Sequence, residues 1–228
     1  MKMRKIIGLI LMLVIILALA ATLTKIPFGT PKTKVGSYYI ENGTRQTGAA
    51  NIVTSVVLNY RGFDTLGEVT VLFIAALGLG AITFTFNKRD RKGSLTPSSL
   101  VLKTGCKFLF PLILLFGTYI FIHGHLTPGG GFQGGAIIAS AYVLIYLSCR
   151  EKEVKRNRLI TIESIGGLIF VGIGIMGLLF GGYFLFNFLP KGVLNTLFSA
   201  GIIPVLYVAI GFKVGSELAG IIVDFITS

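Results

Sequence analysis

Charged residues are scarce in this 228-residue chain, at 13%, and acidic ones scarcer still, with nine Asp and Glu against 21 Lys and Arg. More than half of the residues are apolar. No water-soluble domain needs repeated apolar runs of about 18 to 20 residues, whereas a bilayer does. Cysteine is almost absent. Cys106 and Cys149 stand alone, without a CxxC or Cys/His ligand spacing, so no iron–sulfur cluster or structural metal is expected in this chain. Both fall at helix ends expected on the cytoplasmic side, where free thiols are favoured over a disulfide. No Ser-His-Asp grouping, phosphate loop or dinucleotide fingerprint occurs, so no catalytic site or resident cofactor is expected. In a soluble protein the net charge of +12 would suggest nucleic acid. Here the basic residues gather in short loops between apolar runs, which points to membrane topology and anionic lipid.

What the chain does have is six apolar runs: Ile6–Leu23, Leu66–Phe86, Gly105–Ile122, Phe132–Ser148, Leu159–Tyr183 and Phe198–Phe225. Ala18-Leu19-Ala20 resembles a signal-cleavage site, but the run containing it is long enough to span and is read as the first membrane helix. Fourteen Lys and Arg fall in segments assigned to the cytoplasm and six in outer segments, which places both termini inside. The expected fold is an all-α integral membrane protein with about six transmembrane helices. Within the outer segment Lys25–Asp64, residues Val53, Val56, Val57 and Tyr60 fall at i, i+3, i+4 and i+7. That spacing predicts a short amphipathic helix over Ala49–Tyr60, too short to cross the bilayer. Thr65-Leu66-Gly67-Glu68 matches a capping box. Arg61 and Asp64 read as a turn pair. Asn187–Lys191 reads as a short outer loop. Ser94–Ser99, with Pro97, reads as a linker between a module of residues 1–96, with two spans and the amphipathic segment, and a module of 97–228, with four spans.

Two stretches carry chemistry. In the last helix Lys213 and Glu217 lie four apart, on one face and close enough to pair. An unpaired charge at bilayer centre costs roughly 2.5 to 3.5 kcal/mol on insertion scales, so they should pair or face a polar cavity. Gly211, Gly215 and Ala219 form a small-residue row on the other face that admits a neighbouring helix. Little is left for lipid, and the helix is expected to be enclosed by protein, including other subunits. A proton or ion path and a static pair locking the packing are both open readings. Glu163, expected one turn into its helix, is most simply a carboxylate meeting the helix dipole and the basic loop. The second stretch is His123-Gly-His-Leu-Thr-Pro-Gly-Gly-Gly-Phe-Gln-Gly-Gly135, between two spans. His123 and His125 point to different sides without a third ligand, so hydrogen bonding or proton relay is favoured over metal. Thr127-Pro128 stops one helix, and Gly129, Gly130 and Gly131 allow positive φ or a close approach ahead of Phe132.

This hairpin sequence resembles the signature of the B-type component of Mrp-type (Mnh) multisubunit cation/proton antiporters, and Lys213-Val-Gly-Ser-Glu217 resembles its last helix. Together they cover residues 100–228. Asn51 to Gly78, including Arg61-Gly-Phe-Asp-Thr-Leu-Gly-Glu68, resembles the small E-type module. That module ends the large A-type component of Mrp antiporters and is a separate subunit in membrane-bound hydrogenases and sulfane-sulfur reductases. The resemblance implies a subunit of a cell-membrane complex that exchanges sodium for protons, with Glu68, His123, Pro128, Phe132, Lys213 and Glu217 as matching positions and Glu163 and His125 as further ion-path candidates. It implies A-, C-, D-, E-, F- and G-like antiporter subunits as partners. A hydrogenase or sulfur-reductase module with iron–sulfur clusters is a further implied partner. The joining of the two modules in one chain departs from the Mrp pattern. A structural scaffold without ion contact is the competing expectation. An independent small-molecule transporter is disfavoured by the lack of an inverted repeat.

Overall fold

The computed structural model describes residues 2–25, 34–86, 99–148 and 156–227. The linker core 94–98, Cys149 and the basic residues at 88–92 and 150–155 lie outside the described residues. The described chain is helical, with six helices long and apolar enough to cross a membrane. It divides into two compact units, Met1–Ser37 and Tyr38–Ser228. The first holds α1 (Lys2–Lys25), whose described side chains are all exposed. The second holds α3 (Ile52–Ser55), α4 (Gly62–Phe86), α5 (Leu100–Ile122), α6 (Gly131–Ser148), α7 (Arg156–Gly181) and α8 (Ile203–Thr227). The division between the units falls within α2 (Lys34–Thr47).

In the second unit α8 is the central element, packed against α4, α5, α6 and α7. The small-residue row makes this possible. A Cβ built on Gly211 would lie 2.6 Å from the Phe121 ring of α5, and one built on Gly135 of α6 only 2.9 Å from the Gly215 nitrogen. Helix backbones thus approach to distances that larger side chains forbid. Leu206, Ile210, Val214 and Ala219 of α8 are all buried. The chain's own helices supply much of the expected enclosure of this helix, and Val205 and Phe212 remain exposed.

Several boundaries differ from expectation. The last helix begins at Ile203, not Phe198, because residues 182–202 form one long outer loop rather than the short loop 187–191. Leu185, Asn195 and Ala200 of this loop take positive φ, near 60–68°. The loop is tied down by Asn187, whose amide donates to the Ala200 carbonyl at 3.2 Å and whose oxygen accepts from Ile202 N–H at 3.0 Å. The capping box is absent: α4 starts at Gly62, so Thr65 is already inside the helix. Its hydroxyl donates to the Val57 carbonyl at 2.6 Å and caps nothing. Arg61 and Asp64 do form an ion pair.

The amphipathic segment is helical, but not on the expected face. Val53 is 68% exposed while Thr54, Ser55 and Leu58 are buried. After Ser55 the helix widens into a π turn over Val56–Tyr60, which breaks the 3.6-residue period on which the expectation rested. Polar side chains also decide the register here. Thr54 donates to the Gly124 carbonyl at 2.7 Å, so its remaining contact, to the Tyr207 hydroxyl at 2.7 Å, is one it accepts. Asn51 donates to the carbonyls of Gly124 and Thr127, each at 3.0 Å.

These bonds hold the hairpin against the outer end of α8. A Cβ on Gly124 would come within 2.7 Å of the Tyr207 ring, and one on Gly131 within 2.6 Å of Ile210. Gly130, at φ 148°, sits against the same ring. The glycine run therefore seats Tyr207. Phe132 packs on the main core, and Pro128 is exposed. His123 stacks on Tyr119, with Nδ1 3.1 Å from the Tyr119 carbonyl. His125 is fully buried, and among the described residues neither ring nitrogen makes a well-formed hydrogen bond, although backbone groups of Thr196 and Leu197 lie near the ring.

Two outcomes follow. Gly135→Val should destabilise the protein by about 1 to 3 kcal/mol through forced separation of α6 and α8, read as a lower thermal midpoint in detergent. Desolvation lowers the pKa of His125 below its ordinary 6.5, with backbone groups of Thr196 and Leu197 opposing and the His123 charge adding to it. The unfolded state then binds more protons than the folded one, so stability is full above about pH 6.5 and falls as pH drops below it. Protection factors of residues 123–130, corrected for the intrinsic exchange rate at each pH, should fall on acidification in wild type and lose that dependence in His125→Gln.

Candidate functional site

The site is built on α7 and α8, in their shared interface. Lys213 is 8% exposed and Glu217 2%. One turn apart on α8, they meet with Lys213 Nζ 2.9 Å from Glu217 Oε2, as the spacing predicts. Across the interface Glu163 Oε1 lies 3.8 Å from the same Nζ. The ammonium also stands 5.3 Å from the centroid of Phe73 on α4, over the ring face that favours a cation. Glycine makes the room: Cβ atoms on Gly166 and Gly167 would lie 3.1 Å and 3.7 Å from atoms of the Lys213 stem. The apolar part of the lysine is thus buried along α7 and its charge delivered to the carboxylates.

Glu163 is placed differently from expectation. The helix begins at Arg156 rather than Leu159, so Glu163 lies about two turns inside it, and its partner is Lys213 rather than the helix dipole. Two carboxylates therefore share one ammonium in a largely dry interface. Glu217 Oε1 has no hydrogen-bond partner among the described residues.

A second pair, Arg156 with Asp224 at 2.8 Å, joins the start of α7 to the last turns of α8. Asp224 was not singled out from the sequence. Its signal was there: seven residues beyond Glu217 stays on the same helix face. The charged groups of the α7–α8 seam thus run from a half-exposed pair at one end to buried Glu217 about 10 Å, and Lys213 about 16 Å, further along α8, at about 1.5 Å per residue.

The remaining candidates are not gathered here. His123, His125 and the motif Pro128–Phe132 lie on the outer hairpin, which reaches α8 at Tyr207 and Ile210 and makes no ion pair with Lys213 among the described residues. Glu68 is on the exposed side of α4. Cys106 is a buried free thiol on α5, its Sγ 3.7 Å from the Leu144 carbonyl.

Comparison with known proteins gives a consistent picture. A family model described as a domain related to the MnhB subunit of Na+/H+ antiporter matches residues 101–220, and one for the E-type component of MBH (MbhE) matches residues 3–97. A chain of the membrane-bound sulfane sulfur reductase, an archaeal respiratory membrane complex, superposes with a TM-score of 0.82 at 47% identity, over 98% of both chains. A chain of the Mrp complex from Dietzia sp. DQ12-45-1b superposes with a TM-score of 0.77 at 25% identity, over 98% of this chain but 26% of that one. An uncharacterized protein of Methanocaldococcus jannaschii is 34% identical over 75% of this chain and 74% of its own. A probable K(+)/H(+) antiporter protein of Rhizobium meliloti, of the combined A/B type, is 29% identical over 68% of this chain, which spans 18% of that protein. The chain is a multi-pass membrane protein and belongs to the family of domains related to the MnhB subunit of Na+/H+ antiporters.

Proposed function

We propose that this chain is a non-catalytic cell-membrane subunit that supplies part of a sodium path in an ion-translocating assembly. The observation that carries the reading is the sharing of Lys213 by Glu163 and Glu217. Two ionised carboxylates against one ammonium leave one negative charge uncompensated in a low-dielectric interior, where such charge is costly. A sodium ion or a proton cancels it, and exchange of one for the other is the elementary event of antiport. The Glu217 oxygen without a partner is a ready acceptor for either.

The extent of the structural match supports a redox parent complex. The sulfane sulfur reductase chain matches this one end to end, whereas the Mrp match is one part of a much longer chain. Partners then include antiporter-like subunits and a reductase or hydrogenase module with iron–sulfur clusters. Iron and acid-labile sulfide co-purifying with this chain from native membrane would support that setting; their absence from an intact, active assembly would overturn it.

The short Lys213–Glu217 contact also favours a second reading, a static pair that locks helices in a scaffold subunit. Single substitutions separate the two. On the ion-path reading, Glu217→Gln and Lys213→Ala each lower sodium-dependent proton exchange in vesicles by about tenfold or more, with the assembly still intact on a blue-native gel. Unchanged exchange in both variants, or loss of the assembly before loss of exchange, leaves the scaffold.

A further inference from the structure

Among the described residues, the membrane-spanning helices of the second unit carry five acidic side chains: Asp64, Glu68, Glu163, Glu217 and Asp224. Four of them meet a cation on this chain. Asp64 pairs with Arg61, Glu163 and Glu217 share Lys213, and Asp224 pairs with Arg156. Glu68 meets none among the described residues.

Its position explains why. On α4 the residues turned to the fold are Thr65, Val69, Leu72 and Ala76, which are buried or half-buried. Glu68, Val71, Ala75 and Gly78 form the opposite row, and all are exposed. Cβ atoms built on Gly67 or Gly78 would meet nothing within 4 Å. Nothing within the described second unit covers this face.

Depth makes the carboxylate costly there. Six residues into α4, Glu68 lies about 9 Å along the axis from its start. That is beyond the first turn, where the helix dipole favours an anion and where Asp64 already sits. A carboxylate facing acyl chains at this depth is disfavoured. The rest of the fold meets this constraint by pairing, and the exception is turned outward.

We propose that the Glu68 face of α4 docks against another subunit, through a transmembrane helix that carries a Lys, Arg or His side chain at the depth of Glu68. Charge complementarity selects the partner, and Gly67 and Gly78 let its backbone approach. The proposal rests on the reading of this chain as one subunit of a larger assembly and is independent of the ion path at Lys213.

The test uses the intact assembly in native membranes, with a photo-cross-linking residue in place of Val71, one turn from Glu68 and 66% exposed. Illumination should join this chain to a second polypeptide, with the attachment point within one turn of a Lys, Arg or His. Glu68→Lys should cut the yield about tenfold while Glu68→Asp keeps most of it. The abundance of the chain itself should hold, since Glu68 is exposed and makes no ion pair among the described residues; where Glu68→Lys removes the chain, Glu68→Gln carries the same reading. Adducts to lipid alone, adducts returning to this chain, a partner segment without a basic residue, or a yield indifferent to Glu68 each overturn the proposal. In Glu217→Gln the adduct should persist while exchange falls, so failure of one reading is distinguishable from failure of the other.

Discussion

The interior of this protein is organised around one ammonium group. Lys213 sits in the middle of a helix that a bilayer would otherwise reject, and the fold answers it from three sides: Glu217 on its own helix, Glu163 on α7 and the Phe73 ring on α4. Satisfying that charge requires the helices to converge on α8, and convergence requires small residues at the crossings. The glycines of α6, α7 and α8 are therefore the packing side of the same electrostatic constraint. Without Gly166 and Gly167 the lysine stem would have no berth. Without Gly135 and Gly211 the helices on the opposite side could not close around it.

The outer layer follows a different logic. Neutral hydrogen bonds from Asn51, Thr54 and Tyr207 stitch the hairpin to the short α3 segment and to α8, while Asn187 ties the 182–202 loop to itself and to the end of α2. Each of these is a modest contribution, about 1 kcal/mol net, but those from Asn51 and Thr54 converge on the single turn Gly124–Thr127. His125 lies buried within this layer, where desolvation disfavours its charged form. Tyr207 links the two layers, being both the seat of the glycine run and a member of α8.

Much of this was legible in residues alone. Apolar run length located the six long helices, and a Lys four residues before a Glu inside such a run announced an ion pair. Glu163 was read as a dipole-bound carboxylate because its true partner lies far along the chain, and spacing carries no signal for contacts between helices. The amphipathic reading of Val53 to Tyr60 failed for a local reason: a π turn resets the period, and the hydroxyls of Thr54 and Ser55 are turned inward by partners elsewhere in the chain. The capping box failed similarly, because the Thr65 hydroxyl had a better acceptor in the carbonyl that the π turn frees. Helix α2, whose Tyr38 and Tyr39 gather with Tyr60, went unforeseen since its polar composition resembles loop. The motif resemblance found the family, and no residue pattern could have said which face of α4 is bare.

The order in which the polypeptide leaves the ribosome gives the central helix a further meaning. The segment that carries the buried Lys213–Glu217 pair, α8, is synthesised after every helix that shelters it within its unit. Chain order alone thus makes α4 to α7 available to shelter its charges when it emerges, so a solitary stay among acyl chains is not required of it. Had the same helix come first in the chain, it would have had to wait unaccompanied for four others, and the insertion machinery would have been asked to hold a buried ion pair open until its company arrived.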